Sequence, residues 1–359
     1  MNSSRIAACC AALLISHSLA AGSDAAGREP DGARFAWTSS GPLIAPTGDA
    51  VHDIHGYKDP SVVFDGSRYH VFMTTAGRSG WGLAYTSFTR WQDAPMAPVT
   101  FLDRSPIGPG YRAAPQVFYF APQKLWYLIF QGGDPRYSTT KDIGNPMSWS
   151  TPKPFFSTAS ENITKVDGKA AWLDFWNICD QKKCYLFFTD DHGGFYRSET
   201  SLDRFPEGYH DAELVMRAAR PEDLFEAGNT YKVAGTGKYM TLVEAIGAKG
   251  RYFRVWTADD LGGAWQPLPA PRTNLFAGAD NVEFSGRTWS EGISHGELVR
   301  AGIDQTLAID PCKPLEFLYQ GLDADKGRHY DYIQLPYKLG VITASGPNPI
   351  SEMCSSRQR

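Results

Sequence analysis

Apolar residues along this chain gather in short runs separated by turn-forming clusters. The runs YHVFMTT (69–75), LWYLIF (125–130), CYLFFTD (184–190), YMTLVEA (239–245) and LEFLYQG (315–321) are rich in Tyr, Phe, Val and Ile, and Gly, Pro, Asp and Asn bound them. β-Branched and aromatic residues between turn formers predict strands. No segment carries the spacing of a long amphipathic helix. The predicted class is all-β.

The runs belong to a larger repeat. KDPSVVFDGSRYHVF (58–72) overlays LDFWNICDQKKCYLFF (173–188), so that Asp59 meets Asp174, Asp65 meets Asp180, and a Tyr opens the next strand in both. The strand after that also recurs, as an aromatic run into Ser or Thr, a turn and a closing aromatic: LAYTSFTRW (83–91), RYSTTKDIGNPMSW (136–149), FYRSETSLDRF (195–205) and YFRVWTADDLGGAW (252–265). Inner strands are placed near Asp59, Pro115, Asp174, Glu226 and His295, about 60 residues apart. Antiparallel units of this size, repeated in this way, predict a five-bladed β-propeller in a single domain over residues 35–345, followed by a C-terminal tail, 346–359. A β-sandwich is the competing architecture; the recurring aromatic closer favours the propeller.

In a propeller the innermost strand of each blade borders the axis, so residues that open different inner strands converge at one end of the channel. Asp59, Asp174 and Glu226 fall at that position in blades one, three and four. Taken singly, each is an ordinary turn or loop residue. Taken together they are costly, because neighbouring buried carboxylates repel and at least one is driven towards its neutral form. Glycoside hydrolysis needs such a set, one protonated and one ionised carboxyl across the scissile bond.

Composition narrows the class further. Net charge is −4 and no basic stripe appears, so nothing points to nucleic acid. No internal run is long enough to span a bilayer. The 10 Trp and 17 Tyr suit strands and also sugars, whose C–H faces stack on aromatic rings. At the N-terminus, Arg5, the apolar AACCAALLIS and the small-x-small Ser18-Leu19-Ala20 read as a secretory signal over residues 1–20. Residues 21–34 are small and polar and read as a disordered lead-in. Export leaves Cys179, Cys184, Cys312 and Cys354, an even number that favours disulfides. Cys179 and Cys184 flank a hairpin turn, and Cys312 with Cys354 would pin the tail, although three pairings are open on sequence alone.

The motifs KDPSVV (58–63), APQKLWYLIFQ (121–131), DFWNIC with CYLFFTDD (174–191), LFEAGNTYKV (224–233), GRYFRVWTA (250–258), ISHGELVR (293–300) and DQTLAIDPCKPLEFLYQG (304–321) resemble family 62 of the glycoside hydrolases. That resemblance covers nearly all of the mature chain. It implies a secreted α-L-arabinofuranosidase that releases arabinose from arabinoxylan with inversion, and it implies a calcium ion near the axis. Asp59 is then the general base, Glu226 the general acid, and Asp174 the carboxylate that orients the sugar and keeps the proton on Glu226. Lys58 is expected to touch the arabinose or tune Asp59, and His295 to sit beside the calcium. The groove for the main chain is where the sequence departs. Gln131-Gly132-Gly133 stands for Gln-Trp-Gly, Tyr330-Asp331 for Tyr-Asn, and Pro336-Tyr337-Lys338 for Pro-Trp-Arg. Gln131, Tyr330 and Asp331 are nevertheless expected to contact substrate, and no partner chain is implied, so a monomer is expected. Two alternatives are a related propeller of the family 43 kind, acting on arabinan or β-xylosides, and a carbohydrate-binding propeller without catalysis. The second would have lost one of the acids, and all three are present.

Overall fold

The computed structural model describes residues 33–355 apart from 157–158, 167, 269–273 and 323–329. The signal segment (1–20) and nearly all of the lead-in (21–34) lie outside the described residues. Residues from 32 onward form one compact unit, and its strands build the five blades of a β-propeller.

Blade one is Ile54–Phe64, Tyr69–Gly77, Gly80–Phe88 and Val99–Phe101, paired in that order from the axis outwards. Blade two is Ala113–Phe120, Leu125–Gln131, Pro135–Thr140 and Lys153–Pro154. Blade three is Leu173–Cys179, Lys183–Thr189, Gly194–Ser201 and Glu213–Arg217. In blade four Asn229–Val233, Lys238–Gly247 and Gly250–Ala258 are followed by the short edges Gln266–Pro267 and Leu275–Ala277.

Blade five joins the two halves of the chain. Ser294–Leu298, Glu316–Gly321 and Lys338–Ala344 come from the C-terminal part, and Trp37–Ser39 from the N-terminal part pairs antiparallel with the last of them. Val282–Phe284 then lies parallel on the outer side of Trp37–Ser39. The sequence repeat gave no sign of this closure, because Trp37–Ser39 is three residues long and has no partner nearby in the chain.

The aromatic closers hold blade to blade. Trp149, from blade two, meets Phe72 of blade one edge-on at 5.5 Å. Phe205, from blade three, packs 4.4 Å from Phe120 of blade two, and Trp265, from blade four, lies 6.2 Å from Phe187 of blade three. Trp91, from blade one, donates its indole N–H to Glu316 of blade five. Each closer thus reaches the preceding blade, which gives the repeated aromatic a physical reason: it is the wedge between neighbouring sheets.

At the face away from the candidate site, residues 300–309 run across the channel. Arg300 donates to the carbonyls of Val62 and Val117, at 2.8 Å each. Tyr119 N–H donates to Ile303 O, Cys179 N–H to Gln305 O and Ala234 N–H to Ile309 O. Blades one to four are tied together by this one segment. Cys179–Cys184 and Cys312–Cys354 are the disulfides, and the tail folds into a short helix, Pro349–Ser355, with Ile350 buried in the main core.

Candidate active site

Four of the five inner strands carry an irregularity of pairing where they enter the site. Pairing slips between Lys58 and Ser61 in blade one, between Ala113 and Gln116 in blade two, between Leu173 and Trp176 in blade three and between Ser294 and Gly296 in blade five. Asp59 (φ 48°), Ala114 (φ 49°), Asp174 (φ 55°) and Ala227 (φ 56°) all take the left-handed conformation there. That conformation is unfavourable for a residue with a side chain and is held only where the surroundings over-determine it. Here the amide of each such residue meets a side-chain oxygen. Asp59 N–H donates to Gln320 Oε1 (2.7 Å), Ala114 N–H to Thr74 Oγ1 (2.8 Å), Asp174 N–H to Gln131 Oε1 (2.8 Å) and Ala227 N–H to Asp174 Oδ2 (2.9 Å).

This corrects the alignment of the blades. The counterparts of Asp59 and Asp174 are Ala114 and Ala227, not Pro115 and Glu226, so Glu226 corresponds to Lys58, one residue earlier. In blades one and four the residue before the left-handed one, Lys58 or Glu226, also reaches the site. Glu226 is held by strand-like pairing, with Glu244 N–H donating to Glu226 O at 2.9 Å and Phe225 N–H to Glu244 O at 2.8 Å.

The three acids gather around three basic side chains, His295, Lys58 and Arg251. His295 Nδ1 lies 3.1 Å from Asp59 Oδ1 and 3.8 Å from Asp174 Oδ2. Lys58 is buried, donates to Tyr332 Oη at 2.8 Å, and lies over the rings of Tyr332 (4.6 Å), Trp81 (4.9 Å) and Tyr337 (5.1 Å). Glu226 pairs with Arg251, whose same nitrogen also meets the fully buried Glu244. Glu244 in turn accepts from Ser294 Oγ (2.8 Å) and from His295 N–H (2.6 Å).

These surroundings push the acids in opposite directions. Burial raises Asp59, but the charges of His295 and Lys58 and hydrogen bonds from His295 and Thr74 outweigh it and hold that carboxyl well below the usual range. Burial and then the charge of Asp174 push Glu226 up to about 7, and Arg251, its charge shared with Glu244, only partly opposes them. Burial pushes Asp174 up to about 6, against the attraction of His295. At neutral pH the site therefore keeps an ionised carboxylate at Asp59 and a proton available at Glu226, the division that acid–base chemistry needs.

The remaining expected residues divide. Gln131 is at the site, but its carbonyl holds the Asp174 amide and its amide nitrogen donates to Tyr111 Oη. Tyr330 and Asp331 stand exposed just before the turn Tyr332–Gln334. The contact expected of that segment is made by Tyr332, which bonds Lys58. His295 is central, but its Nδ1 faces acids. Among the described residues no group of three or more His, Cys, Asp or Glu side chains is arranged to hold a metal, and calcium takes six to eight oxygens rather than an imidazole nitrogen. No chemistry is assigned to a calcium ion.

Trp81, Tyr332, Arg251, Glu244 and Gln320 are parts of the site that the sequence reading missed, and Tyr337, read there as part of the groove, packs against Lys58. Arg251 and Gln320 lie inside quoted motifs, GRYFRVWTA and DQTLAIDPCKPLEFLYQG, and were findable there. The Gly132 departure also has a structural counterpart. A Cβ at Gly132 would lie 2.9 Å from Arg136 Cδ and 3.6 Å from Arg112 Nη1, and Arg136 is ion-paired to Asp134 at 2.6 Å.

Gly228 allows the Glu226 loop to approach blade three. A Cβ there would lie 2.1 Å from Trp176 Cη2, in a buried indole whose Nε1–H donates to Thr230 Oγ1 at 2.8 Å. Gly228→Ala should therefore destabilise the fold by about 1–3 kcal/mol through overpacking, read as a lowered midpoint in thermal unfolding. An unchanged midpoint would show that Trp176 yields freely.

Comparison with known proteins agrees with this geometry. The profile of glycosyl hydrolase family 62 matches residues 36–343. Alpha-L-arabinofuranosidase C of Cellvibrio japonicus is 44% identical over 312 residues; the match takes in 85% of this chain but 46% of that protein, so the chain spans about half the length of this relative. The catalytic domain of the Coprinopsis cinerea family 62 α-L-arabinofuranosidase superposes with a TM-score of 0.83 at 49% identity, over 88% of this chain and 98% of that one. A family 62 hydrolase solved with xylotriose gives a TM-score of 0.82 at 43% identity, over 87% and 98%. Five blades, acids at the openings of three of them and a family profile spanning nearly the whole propeller lead to one assignment: the chain belongs to glycosyl hydrolase family 62.

Proposed function

We propose that this protein is an exported, monomeric α-L-arabinofuranosidase that removes arabinofuranose side chains from arabinoxylan with inversion at the anomeric carbon. The feature that carries the reading is the opposed surroundings of two carboxyls in one site, Asp59 favoured in its ionised form by His295 and Lys58, and Glu226 pushed up to about 7 by burial and Asp174. In the mechanism Asp59 takes a proton from water as that water attacks the anomeric carbon, and Glu226 gives its proton to the departing xylose oxygen. Asp174 fixes the Ala227 amide beside Glu226 and adds the negative charge that keeps the proton on the acid. Lys58, locked in its aromatic box, presents a fixed positive charge beside Asp59.

Support for the substrate comes from relatives: one is named an arabinofuranosidase and another was solved with xylotriose. Two disulfides suit an oxidising compartment outside the cell, where a polysaccharide is met. Incubation with wheat arabinoxylan, debranched arabinan and xylo-oligosaccharides, followed by identification of the released sugar, tests the reading. Arabinose is expected from arabinoxylan, and proton NMR of early product should show the β anomer. Xylose as the main product, or initial release of the α anomer, would overturn it.

A further inference from the structure

A cleft of about 200 Å³ lies between the hairpin tip of blade one and the segment that leads into blade two. Gly80, Trp81, Pro109, Gly110 and Arg112 are among the residues that line it. It adjoins the catalytic centre, because Trp81 is also one wall of the box around Lys58, and Arg112 stands two residues before Ala114, the blade-two counterpart of Asp59. The neighbouring cations have acids of their own. His295 and Lys58 face Asp59, Arg251 is shared by Glu226 and Glu244, and Arg136 holds Asp134 through two nitrogens, at 2.6 and 3.2 Å. Asp103, a carboxylate in the cleft lining, bonds His52 at 2.9 Å.

Arg112 is the exception. Among the described residues no carboxylate is hydrogen-bonded to its guanidinium. Nη1 donates to the Tyr111 carbonyl at 2.8 Å, and Nε is buried with no partner. The Phe130 ring, 5.9 Å from the guanidinium, helps to fix it. Burial and the like charge of Arg136 act against the cation, and Asp134, already held by Arg136, offsets them only in part. A charged group that leaves water usually gains an acid or an acceptor in return. A half-buried guanidinium with donors to spare and no acid bonded to it suits an acid brought from outside. Its planar fork matches a carboxylate in particular.

We propose that Arg112 receives the carboxylate of a uronic acid side group on the polysaccharide, carried by a main-chain unit near the one that bears the arabinose. This rests on the activity proposed above and adds to it a preference for acidic over neutral polymer. The net charge of −4 works against such a preference, so a local cation is needed to produce one.

Glucuronoarabinoxylan is compared with the same material after its uronic acids have been reduced to neutral sugars, which leaves main chain and arabinose in place. For wild type, KM should be about two- to fivefold higher on the reduced polymer, the effect of one exposed ion pair. The difference should shrink as salt is added. Arg112→Gln should give one KM for both polymers, close to the wild-type value on the reduced one, with unchanged kinetics on 4-nitrophenyl α-L-arabinofuranoside. Arg112→Lys keeps the charge without the fork and should retain part of the preference. Equal wild-type KM on the two polymers overturns the proposal without recourse to any variant. A preference that survives in folded Arg112→Gln overturns it as well. So does a loss in that variant shared by the reduced polymer and the aryl substrate, because Arg112 would then be supporting the site rather than binding an anion. A wild-type protein that releases no arabinose from any of the three substrates would instead sink the underlying activity, and the acid preference with it.

Discussion

Glu226→Gln should lower turnover on arabinoxylan by about a hundred- to ten-thousandfold, the usual cost of losing a positioned proton donor. The loss should be much smaller on 4-nitrophenyl α-L-arabinofuranoside, because nitrophenolate departs without a proton. The difference between the two substrates, measured in parallel, is the test, and equal losses on both would remove Glu226 from the role of acid. A pH profile adds a second reading. The donor works only while protonated, and burial with the charge of Asp174 moves its pKa up to about 7. Wild-type kcat/KM on arabinoxylan should therefore fall above about pH 7, tenfold per pH unit, and Glu226→Gln should lose that limb. Arg251→Met should move the limb further upward, since Arg251 is the nearest group that favours the ionised form.

Asp59→Asn should lower kcat by about a hundred- to ten-thousandfold on both substrates alike. Activation of water is common to them, whatever group departs. Asn is the informative replacement here. Asp59 sits at φ 48°, a conformation that Asn tolerates better than most residues. The amide of residue 59 can still donate to Gln320 Oε1. The variant should therefore keep the native backbone, though with some loss of stability because His295 and Lys58 lose a counter-charge, and activity measured well below its unfolding temperature can be read as chemistry. Near-normal turnover on either substrate would exclude Asp59 as the base.

Much of the fold was legible because the blade repeats itself. The overlay of KDPSVVF on LDFWNIC matched Asp59 with Asp174, and both take the same left-handed backbone, since the acids and the backbone around them recur together. The overlay failed by one residue in blades two and four. An alanine at φ 49° or 56° looks like any other alanine in a sequence, whereas Pro115 and Glu226 have conspicuous side chains and drew the alignment towards them. The box around Lys58 was harder still. Trp81 comes from the tip of a blade-one hairpin, and Tyr332 and Tyr337 lie more than 250 positions away, brought near only when the ring closes. The aromatic closers are an intermediate case: their recurrence was visible, but that each one reaches the preceding blade depends on the order of blades around the axis.

The strand Trp37–Ser39 is made early and finds its place late. Its antiparallel partner, Lys338–Ala344, is the last strand among the described residues, so through most of synthesis it lacks that partner. Blades one to four can assemble their own sheets as they emerge, while the fifth must wait for both ends of the polypeptide. Contacts between such distant positions are slow to form. Their completion converts an open arc of sheets, with exposed edges prone to pairing with other chains, into a closed ring. Asp59 and His295, 3.1 Å apart, stand in the first and fifth blades. The contact between Asp59 and His295 therefore forms only once the first and fifth blades have met.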